Sequence, residues 1–395
     1  MNILDRFTDK RILIWGYGRE GKTTEKFLLT HTKPLEVQHF EGPFSDLPAE
    51  GFDIVFKSPG IVMEEEDPKF TSMTELFLEL FADRTIGVTG TKGKSTTSSL
   101  LYHCLSRCLD RKVILLGNIG LPCLDYYDEI DEDTVVVFEL SCHQLAHTKV
   151  SPHIAVFLNL FEEHLDYYGT VEKYFKAKTN ITTHQTEKDF FFVGENVPKI
   201  PTLASVTRID KNSLRDFELS IPGSHNIYNA NFVYRIAKDV FGIQEKAIEE
   251  SFKSFTGLRH RLEHIGALDG VDFYDDSIST IPEAAIAALG SVKNAKTVIL
   301  GGMDRGINYD ILINYIMDHP EYNYILAYAS GKRIFEAIGG CPQCTYVPEL
   351  KDAVEAARKL TKPGEAVILS PAAASYGYFK NFEERGDKFK EYVGL

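Results

Sequence analysis

The sequence is poor in cysteine and tryptophan and has no surplus of basic residues. Its 395 residues include 6 cysteines and 1 tryptophan. So few cysteines cannot form a disulfide framework in a chain of this length, which favours a reduced protein. Lys and Arg number 43 against 57 Asp and Glu, a formal net charge of −14. Because no basic surplus is available to neutralise phosphates, a general nucleic-acid binder is excluded, although a local pocket for a small anion is allowed.

Long hydrophobic runs are also absent. The longest apolar segments, residues 134–138 and 154–161, are strand-sized and far below the ~20 residues that cross a bilayer. The first eleven residues carry five charges and no apolar core, unlike a secretory signal. We therefore predict a cytoplasmic protein with no membrane contact. Hydrophobic residues make up 44% and charged residues 25%, an ordinary globular composition that excludes a largely disordered chain.

Short apolar strands alternate with helical segments along the whole chain. This alternation predicts an α/β fold with parallel sheets, whose ligand sites lie at the carboxyl edges of the strands. At roughly 100–200 residues per domain, the length predicts two or three domains. We expect three successive α/β domains, at residues 1–84, 85–257 and 258–395.

A glycine-rich loop lies between a predicted strand and a predicted helix. Such a loop turns backbone N–H groups toward phosphate oxygens, and the helix N-terminus favours anions. Lys94 is placed to reach terminal phosphates and Ser95 to ligate Mg²⁺. The spacing differs from the standard loop, because Gly90 and Gly93 are three positions apart rather than five. We predict a nucleotide-phosphate site formed by Gly90, Thr91, Lys92, Gly93, Lys94, Ser95 and Thr96.

A second glycine motif, Gly16-x-Gly18-x-x-Gly21, follows the first strand. It fits a dinucleotide-binding turn, and Glu41 lies at the distance expected for a ribose-binding acid. The same turn opens many βαβ units that bind no dinucleotide. From these residues alone, both an NAD or FAD site and a plain turn stay open.

Polar residues follow two strands of the predicted central domain. Glu139 ends one strand, and His164 and Asp166 follow the next, so their side chains are expected at one sheet edge near the phosphate loop. Carboxylate oxygens suit Mg²⁺, which makes this edge a candidate metal site. Lys178, by its local sequence alone, is predicted to be a solvated helix lysine.

Three further groups of polar residues lie nearer the C-terminus. Asn226 and Asn229 share one helix face, where they could bind a base or cap the helix. Arg261 lies in a basic cluster and Asp276 in an acidic turn. Both are compatible with ordinary loop chemistry or with closure over a nucleotide.

The order of these motifs resembles that of the Mur ligases over nearly the whole chain. These ligases form ADP while adding amino acids to the cytoplasmic peptidoglycan precursor. The resemblance is strongest to the branch that adds glutamate to UDP-N-acetylmuramoyl-L-alanine. It rests on the phosphate loop, Glu139, Asn159-Leu-Phe-Glu-Glu-His-Leu-Asp166, His225-Asn-Ile-Tyr-Asn229, His260-Arg261, Asp276-Ser277, Ser58-Pro-Gly-Ile61, Gly117-Asn-Ile-Gly120 and Ser370-Pro-Ala-Ala-Ala-Ser375.

The resemblance implies a role for each matching residue. It implies ATP and two Mg²⁺ ions as cofactors, one ion held by Glu139 and Ser95 and the other by His164 and a carbamylated Lys178. The ATP site would include Lys94, Asn226, Asn229, Arg261 and Asp276. The precursor and glutamate sites would include Gly16, Gly18, Ser58, Gly60, Asn118, Gln144, Thr280, Arg305, Ser375 and Phe382. The first domain would bind UDP rather than NAD, and the chain would act as a monomer.

The chain departs from the family pattern near the expected glutamate site. Ile278 stands where the D-glutamate enzymes have a lysine, Arg305 stands where a lysine is expected, and Tyr376 stands where an aliphatic residue is usual. We expect ligation of glutamate through an acyl phosphate, with D-glutamate favoured. The alternatives are an L-glutamate-adding variant, a folylpolyglutamate synthase-like ligase, and a non-catalytic nucleotide-binding module.

Overall fold

The computed structural model describes residues 3–63, 67–117, 122–221 and 223–395. The chain divides into two compact units. The first comprises Met1–Glu218 and His225–Lys253, and the second comprises Leu219–Ser224 and Ser254–Leu395. In the part of the chain that the structure describes, no helix is both long and apolar enough to cross a membrane.

The N-terminal part of the first unit contains a four-stranded parallel sheet, in the order β2-β1-β3-β4. Alternate residues of β1 pack into different clusters, Ile12 and Ile14 on one face and Leu13 and Trp15 on the other, so both faces of the sheet are covered. The strands and helices are β1 (Arg11–Trp15), α1 (Arg19–His31), β2 (Glu36–Phe40), β3 (Ile54–Lys57), β4 (Phe70–Thr71) and α2 (Met73–Phe81).

The rest of the first unit contains a six-stranded parallel sheet, in the order β10-β9-β8-β5-β7-β6. The central strand β5 has β8 on one side and β7 on the other, so the strand order reverses at its carboxyl end. The elements are β5 (Thr85–Thr89), α3 (Lys94–Cys108), β6 (Val113–Gly117), β7 (Val135–Glu139), α4 (Cys142–Leu145), β8 (Ile154–Phe157), α5 (Leu165–Tyr168), α6 (Val171–Thr183), β9 (Phe190–Gly194), β10 (Ser205–Ile209), α7 (Ser224–Asp239) and α8 (Glu245–Lys253).

The second unit contains another six-stranded sheet, in the order β11-β12-β16-β13-β14-β15. Only the pair β11 and β12 is antiparallel among the described strands of this sheet. The elements are β11 (Glu263–Leu268), β12 (Val271–Asp275), α9 (Pro282–Ser291), β13 (Ala295–Leu300), α10 (Asp310–Asp318), β14 (Asn323–Ala327), α11 (Tyr328–Ile338), β15 (Cys344–Val347), α12 (Leu350–Leu360), β16 (Ala366–Leu369) and α13 (Phe382–Val393).

One strand of the second unit is shorter than the sequence predicts. The apolar run at residues 324–329 indicates a single strand, but β14 ends at Ala327 and α11 begins at Tyr328. Tyr328 has a positive φ of 60°, which turns the chain out of the sheet. Its hydroxyl accepts a hydrogen bond from the backbone N–H of Leu350 at 3.0 Å, and its ring packs on that of Tyr378. These contacts hold the bend, and local periodicity does not reveal them.

Candidate active site

The glycine-rich loop lies at the carboxyl end of β5, where the strand order of its sheet reverses. Gly93, the N-cap of α3, has a φ of 84°, in the left-handed region that favours glycine. A Cβ at Gly93 would lie 2.8 Å from Oδ1 of Asn229. The loop therefore packs directly against Asn229, whose side chain also lies 3.4 Å from Asn226 Oδ1. The two asparagines predicted to face a base are buried beside the phosphate loop.

Lys94 begins α3 and folds back over its own loop. Its Nζ donates hydrogen bonds to the carbonyl oxygens of Gly90 and Thr91, both at 3.0 Å. Burial lowers the pKa of Lys94, and the nearby carboxylate of Glu139 partly opposes that shift. Ser95 and Thr96 follow in the first helical turn and are half-buried. The loop thus presents a cation and the start of a helix to the same space, an arrangement suited to phosphate.

The loop is fixed from outside by the strand and helix next to it. Asn159 bonds both the backbone N–H and the carbonyl of Lys92, at 2.9 and 3.0 Å. The Lys92 ammonium lies 2.7 Å from Glu163 Oε1, and the Thr91 hydroxyl lies 3.2 Å from the hydroxyl of Tyr174. These bonds set the conformation of the loop.

A cavity of about 280 Å³ opens beside the loop. It brings together five residues that the sequence analysis placed in the site, from both parts of the first unit. Its lining consists of Glu20, Pro59, Gly60, Lys94, Ser141, Cys142, His143, Gln144, His164, Tyr174 and Lys178. A concave space in which several ionisable groups converge is the expected form of an active site.

Lys178 is buried, so the prediction of a solvated helix lysine, made from its local sequence, is wrong. Only 1% of the residue is exposed. Its Nζ donates to the carbonyl oxygen of Gly90 at 2.9 Å and lies 3.3 Å from the hydroxyl of Thr89. Burial, with a smaller contribution from the charge of Lys94, lowers the pKa of Lys178 to about 7. Near neutral pH a large fraction of this amine is therefore uncharged.

Glu139 and His164 stand close to the two lysines. Glu139, the last residue of β7, is 1% exposed, and its charge raises the pKa of both Lys94 and Lys178. His164 is a cavity-lining residue with a φ of 57° at the start of α5. The buried carboxylate of Glu139 offers the oxygen ligands that Mg²⁺ prefers, whereas the imidazole of His164 is a nitrogen donor. The Lys178 amine gives no oxygen ligand as it stands. The side chain of Asp166 lies outside the described residues.

The N-terminal part of the first unit meets the cavity through α1 and the loop after β3. Gln144 Nε2 lies 3.3 Å from Glu20 Oε1, and burial raises the pKa of Glu20 to about 7. Ser58 donates to the carbonyl oxygen of Gly16 at 2.7 Å, which joins the two predicted precursor-binding loops. Gly60 lines the cavity, and a Cβ at either Gly60 or Gly18 would meet nothing within 4 Å. Asn118 lies outside the described residues.

In the second unit, a buried arginine gathers the predicted glutamate-site segments. Arg385 is 1% exposed and donates to Ser277 Oγ at 2.9 Å, to Ser277 O at 2.6 Å and to Ala373 O at 3.0 Å. Ser277 in turn donates to the carbonyl oxygen of Phe382 at 2.8 Å. Ser375 follows Ala373 closely in this loop and is buried.

Four other predicted residues of the second unit lie in or near the turn after β12. Arg305 is exposed, and its guanidinium lies 3.4 Å from the carbonyl oxygen of Thr280. Asp276 is buried, and it accepts hydrogen bonds from Ser279, from Ser370 and from the backbone N–H of Leu262. Burial raises the pKa of Asp276 to about 6. Arg261 is half-buried.

The sequence analysis did not predict six of the residues that line the cavity, and three of these six carry ionisable side chains inside motifs that it singled out. Cys142 and His143 lie between Glu139 and Gln144, and Glu20 lies between Gly18 and Gly21, inside motifs whose other members were singled out. Their position within those motifs was the available signal. They were not predicted because a single cysteine, histidine or glutamate within a motif is most often structural.

Comparison with known proteins adds family information to this geometry. The model of the Mur ligase middle domain matches residues 88–212. The chain is 33% identical to UDP-N-acetylmuramoylalanine–D-glutamate ligase of Acetivibrio thermocellus, with 96% of this chain and 91% of that one covered. It is 32% identical to the ligase of the same name from Oenococcus oeni, with 98% and 97% covered.

A solved structure shares the fold. MurF ligase from Thermotoga maritima, in complex with ADP, superposes with a TM-score of 0.63 at 15% sequence identity. The match covers 99% of this chain and 96% of that one. The α/β fold class predicted from the sequence is therefore confirmed.

Proposed function

This chain belongs to the Mur ligase family, and from that premise we propose that it joins D-glutamate to the L-alanine carboxyl of UDP-N-acetylmuramoyl-L-alanine, with cleavage of ATP to ADP and phosphate. The observation that carries the proposal is the cavity in which Lys94 and Lys178 meet beside the phosphate loop. The names of its relatives support the choice of substrates. The reaction would serve peptidoglycan precursor synthesis in the cytoplasm, with the chain acting as a monomer.

We assign the substrates to three domains, at residues 1–84, 85–257 and 258–395. The first would bind the UDP moiety through Gly16, Gly18, Ser58 and Gly60. The second would bind ATP through the phosphate loop, Asn226 and Asn229, and the precursor through Asn118 and Gln144. The third would bind glutamate through Thr280, Arg305, Ser375 and Phe382, and would supply Arg261 and Asp276 to the ATP. Support comes from the contacts within each unit described above.

The chemistry has two steps. A carboxylate oxygen of the precursor attacks the γ-phosphorus of ATP, which gives an acyl phosphate and ADP. The glutamate amine then attacks the acyl carbon, phosphate leaves with its electron pair, and the amine proton passes to solvent. A carboxylate is a poor electrophile, so phosphorylation is needed to supply a leaving group. The main task of the protein is to bring two anions together, and Lys94 provides positive charge for that purpose.

Two Mg²⁺ ions would neutralise phosphate charge during the transfer, without a change in protonation. Ser95 and Glu139 would hold one, and His164 and Lys178 the other. Lys178 can serve only if its amine has combined with CO₂ to give a carbamate, releasing one proton. A pKa of about 7 favours that reaction, because only the uncharged amine attacks CO₂.

Replacing Lys94 tests the assignment of the phosphate loop. We expect Lys94→Ala to lower kcat for ADP formation at least about 100-fold, because a preorganised charge at the transferred group is lost. The matched control is Lys112→Ala, since Lys112 is an exposed lysine paired with Glu129 at 3.0 Å. Phosphate release and circular dichroism should be measured for both variants. A folded Lys94→Ala protein with parental kcat would contradict the assignment.

A further inference from the structure

A thiol and two imidazoles converge at the edge of the cavity. Each of three residues contributes one potential ligand atom, and the three atoms lie within 4.8 Å of one another. The residues are Cys142, His143 and His164. All three residues line the cavity of about 280 Å³. Cys142 is buried, His143 is half-buried and His164 is exposed. The cluster therefore extends from the interior of the first unit to solvent, which gives a small ion a route in.

The backbone holds these three side chains in place. Cys142 and His143 open α4, where Ser141 Oγ accepts from the Gln144 backbone N–H at 3.2 Å and Gln144 Oε1 accepts from that of Ser141 at 3.0 Å. His164 has the left-handed backbone conformation, which is uncommon for a residue other than glycine and is found disproportionately at functional sites.

Aromatic rings fix the two imidazoles. The ring of His143 stacks on that of Tyr168 with centroids 5.5 Å apart, and its Nδ1 lies 3.4 Å from the Tyr168 hydroxyl. The ring of His164 lies 6.0 Å from that of Tyr174. A hydrogen-bond partner on one ring nitrogen fixes the orientation of an imidazole, as such partners do around metal-ligating histidines. The cluster is thus held close to a ligating arrangement by its surroundings.

The donor types identify the class of ion. Mg²⁺ takes oxygen donors, whereas a thiolate with two imidazoles selects Zn²⁺ and ions of similar softness. Tetrahedral zinc with bonds of about 2.3 Å to sulfur and 2.0–2.1 Å to nitrogen sets its ligand atoms about 3.5 Å apart. Side-chain movements on the order of 1 Å would therefore close the cluster on an ion. Three protein ligands leave a fourth position for water or a substrate oxygen.

We propose that Cys142, His143 and His164 form a binding site for a soft divalent cation of the Zn²⁺ class. As the cation binds, a bond forms between it and Sγ, and the thiol proton leaves to solvent. The site shares His164 with the proposed Mg²⁺ site. Zn²⁺ would therefore inhibit the ligase by occupying that imidazole, a consequence that rests on the proposed function, whereas the metal site itself does not.

Cobalt(II) is the probe that tests the site, because its absorption spectrum depends on the identity and geometry of its ligands. The full-length protein, free of nucleotide and Mg²⁺, is titrated with Co²⁺ and followed by absorption. We expect a thiolate-to-cobalt charge-transfer band in the near ultraviolet and intense visible bands of tetrahedral cobalt, both saturating at one ion per chain. Addition of Zn²⁺ should remove both sets of bands.

Variants assign the bands to residues. Cys142→Ser should abolish the charge-transfer band, and His143→Gln should weaken cobalt binding at least about tenfold. The matched control is Cys108→Ser, which replaces a half-buried cysteine of α3 and should leave the spectrum unchanged. Since His143→Gln tests the same cluster, the proposal stays falsifiable if Cys142→Ser does not fold.

The outcomes separate the two proposals. Absence of a charge-transfer band in the parent, or its persistence in Cys142→Ser, would overturn the metal site. If the site exists, the Zn²⁺ concentration that halves phosphate release should be at least about tenfold higher for Cys142→Ser than for the parent. For each protein the inhibition is measured against its own rate without Zn²⁺. Cobalt bands in a protein with no ligase activity would support the metal site and contradict the proposed function.

Discussion

At the scale of single residues, the cavity combines groups whose charge is disfavoured by burial. Burial lowers the pKa of Lys178 to about 7 and raises the pKa of Glu20 to about 7. Each group has polar neighbours, yet burial is the largest cause of both shifts. Titratable groups displaced toward neutral pH are common where proton transfer and ligand binding take place.

Glu20 gives a prediction for stability against pH. Its pKa is about 4.5 in the unfolded chain and about 7 in the folded one, so the folded state binds more protons between these values. Stability should therefore fall as pH rises from 4.5 to 7. Glu20→Gln removes this pH-dependent loss of stability. The unfolding free energy of the variant minus that of the parent should therefore be about 1–3 kcal/mol larger at pH 8 than at pH 5.

Thermal unfolding at pH 5 and pH 8 measures the effect as a difference in Tm between variant and parent. The control is Glu50→Gln, because Glu50 is exposed, and its difference from the parent should be the same at both pH values. A difference for Glu20→Gln that does not grow with pH would show that burial does not disfavour this carboxylate.

At the scale of elements, the end of β13 depends on one glycine. Gly301 follows β13 with a φ of 114°, and a Cβ there would overlap the carbonyl oxygen of Ala327. The turn after β13 leads to Arg305, so its shape bears on the proposed glutamate site. Steric exclusion and backbone conformation both require glycine at this position.

We predict that Gly301→Ala lowers the unfolding free energy of the second unit by at least about 2 kcal/mol. Gly290 is the matched control, because it lies in α9 and a Cβ there would meet nothing within 4 Å. Gly290→Ala should stabilise the protein by about 0.5–1 kcal/mol, since alanine is the better helix former. Urea unfolding compares the two variants, and equal effects would contradict the steric argument.

Sequence patterns predict those elements whose conformation is determined by their own residues. The apolar run Arg11–Trp15 indicates a strand from its own residues, and the structure has β1 there. The glycine-rich loop lies between a strand and a helix, β5 and α3, as the sequence predicts. Lys178 was misjudged because its burial comes from the loop after β5, about 90 positions away in the chain. The role of Arg385 was hidden for the same reason, since its partner Ser277 is more than 100 positions away.

At the scale of the whole molecule, the order of motifs along 395 residues carried the family assignment. Single motifs left a dehydrogenase, a nucleotide-binding module and a ligase open, and only their combination favoured the ligase. Relatives with more than 30% identity over nearly the full chain bear out that assignment. The Cys142–His143 pair was found from the geometry of the cavity and not from the comparison with relatives.

The most direct test is phosphate release from ATP in the presence of UDP-N-acetylmuramoyl-L-alanine, with D-glutamate compared with L-glutamate. We predict release that requires both the precursor and the amino acid, and a rate with D-glutamate at least about ten times that with L-glutamate. Mass spectrometry should find one glutamate added to the precursor. Release that does not depend on the precursor, or that is faster with L-glutamate, would contradict the account.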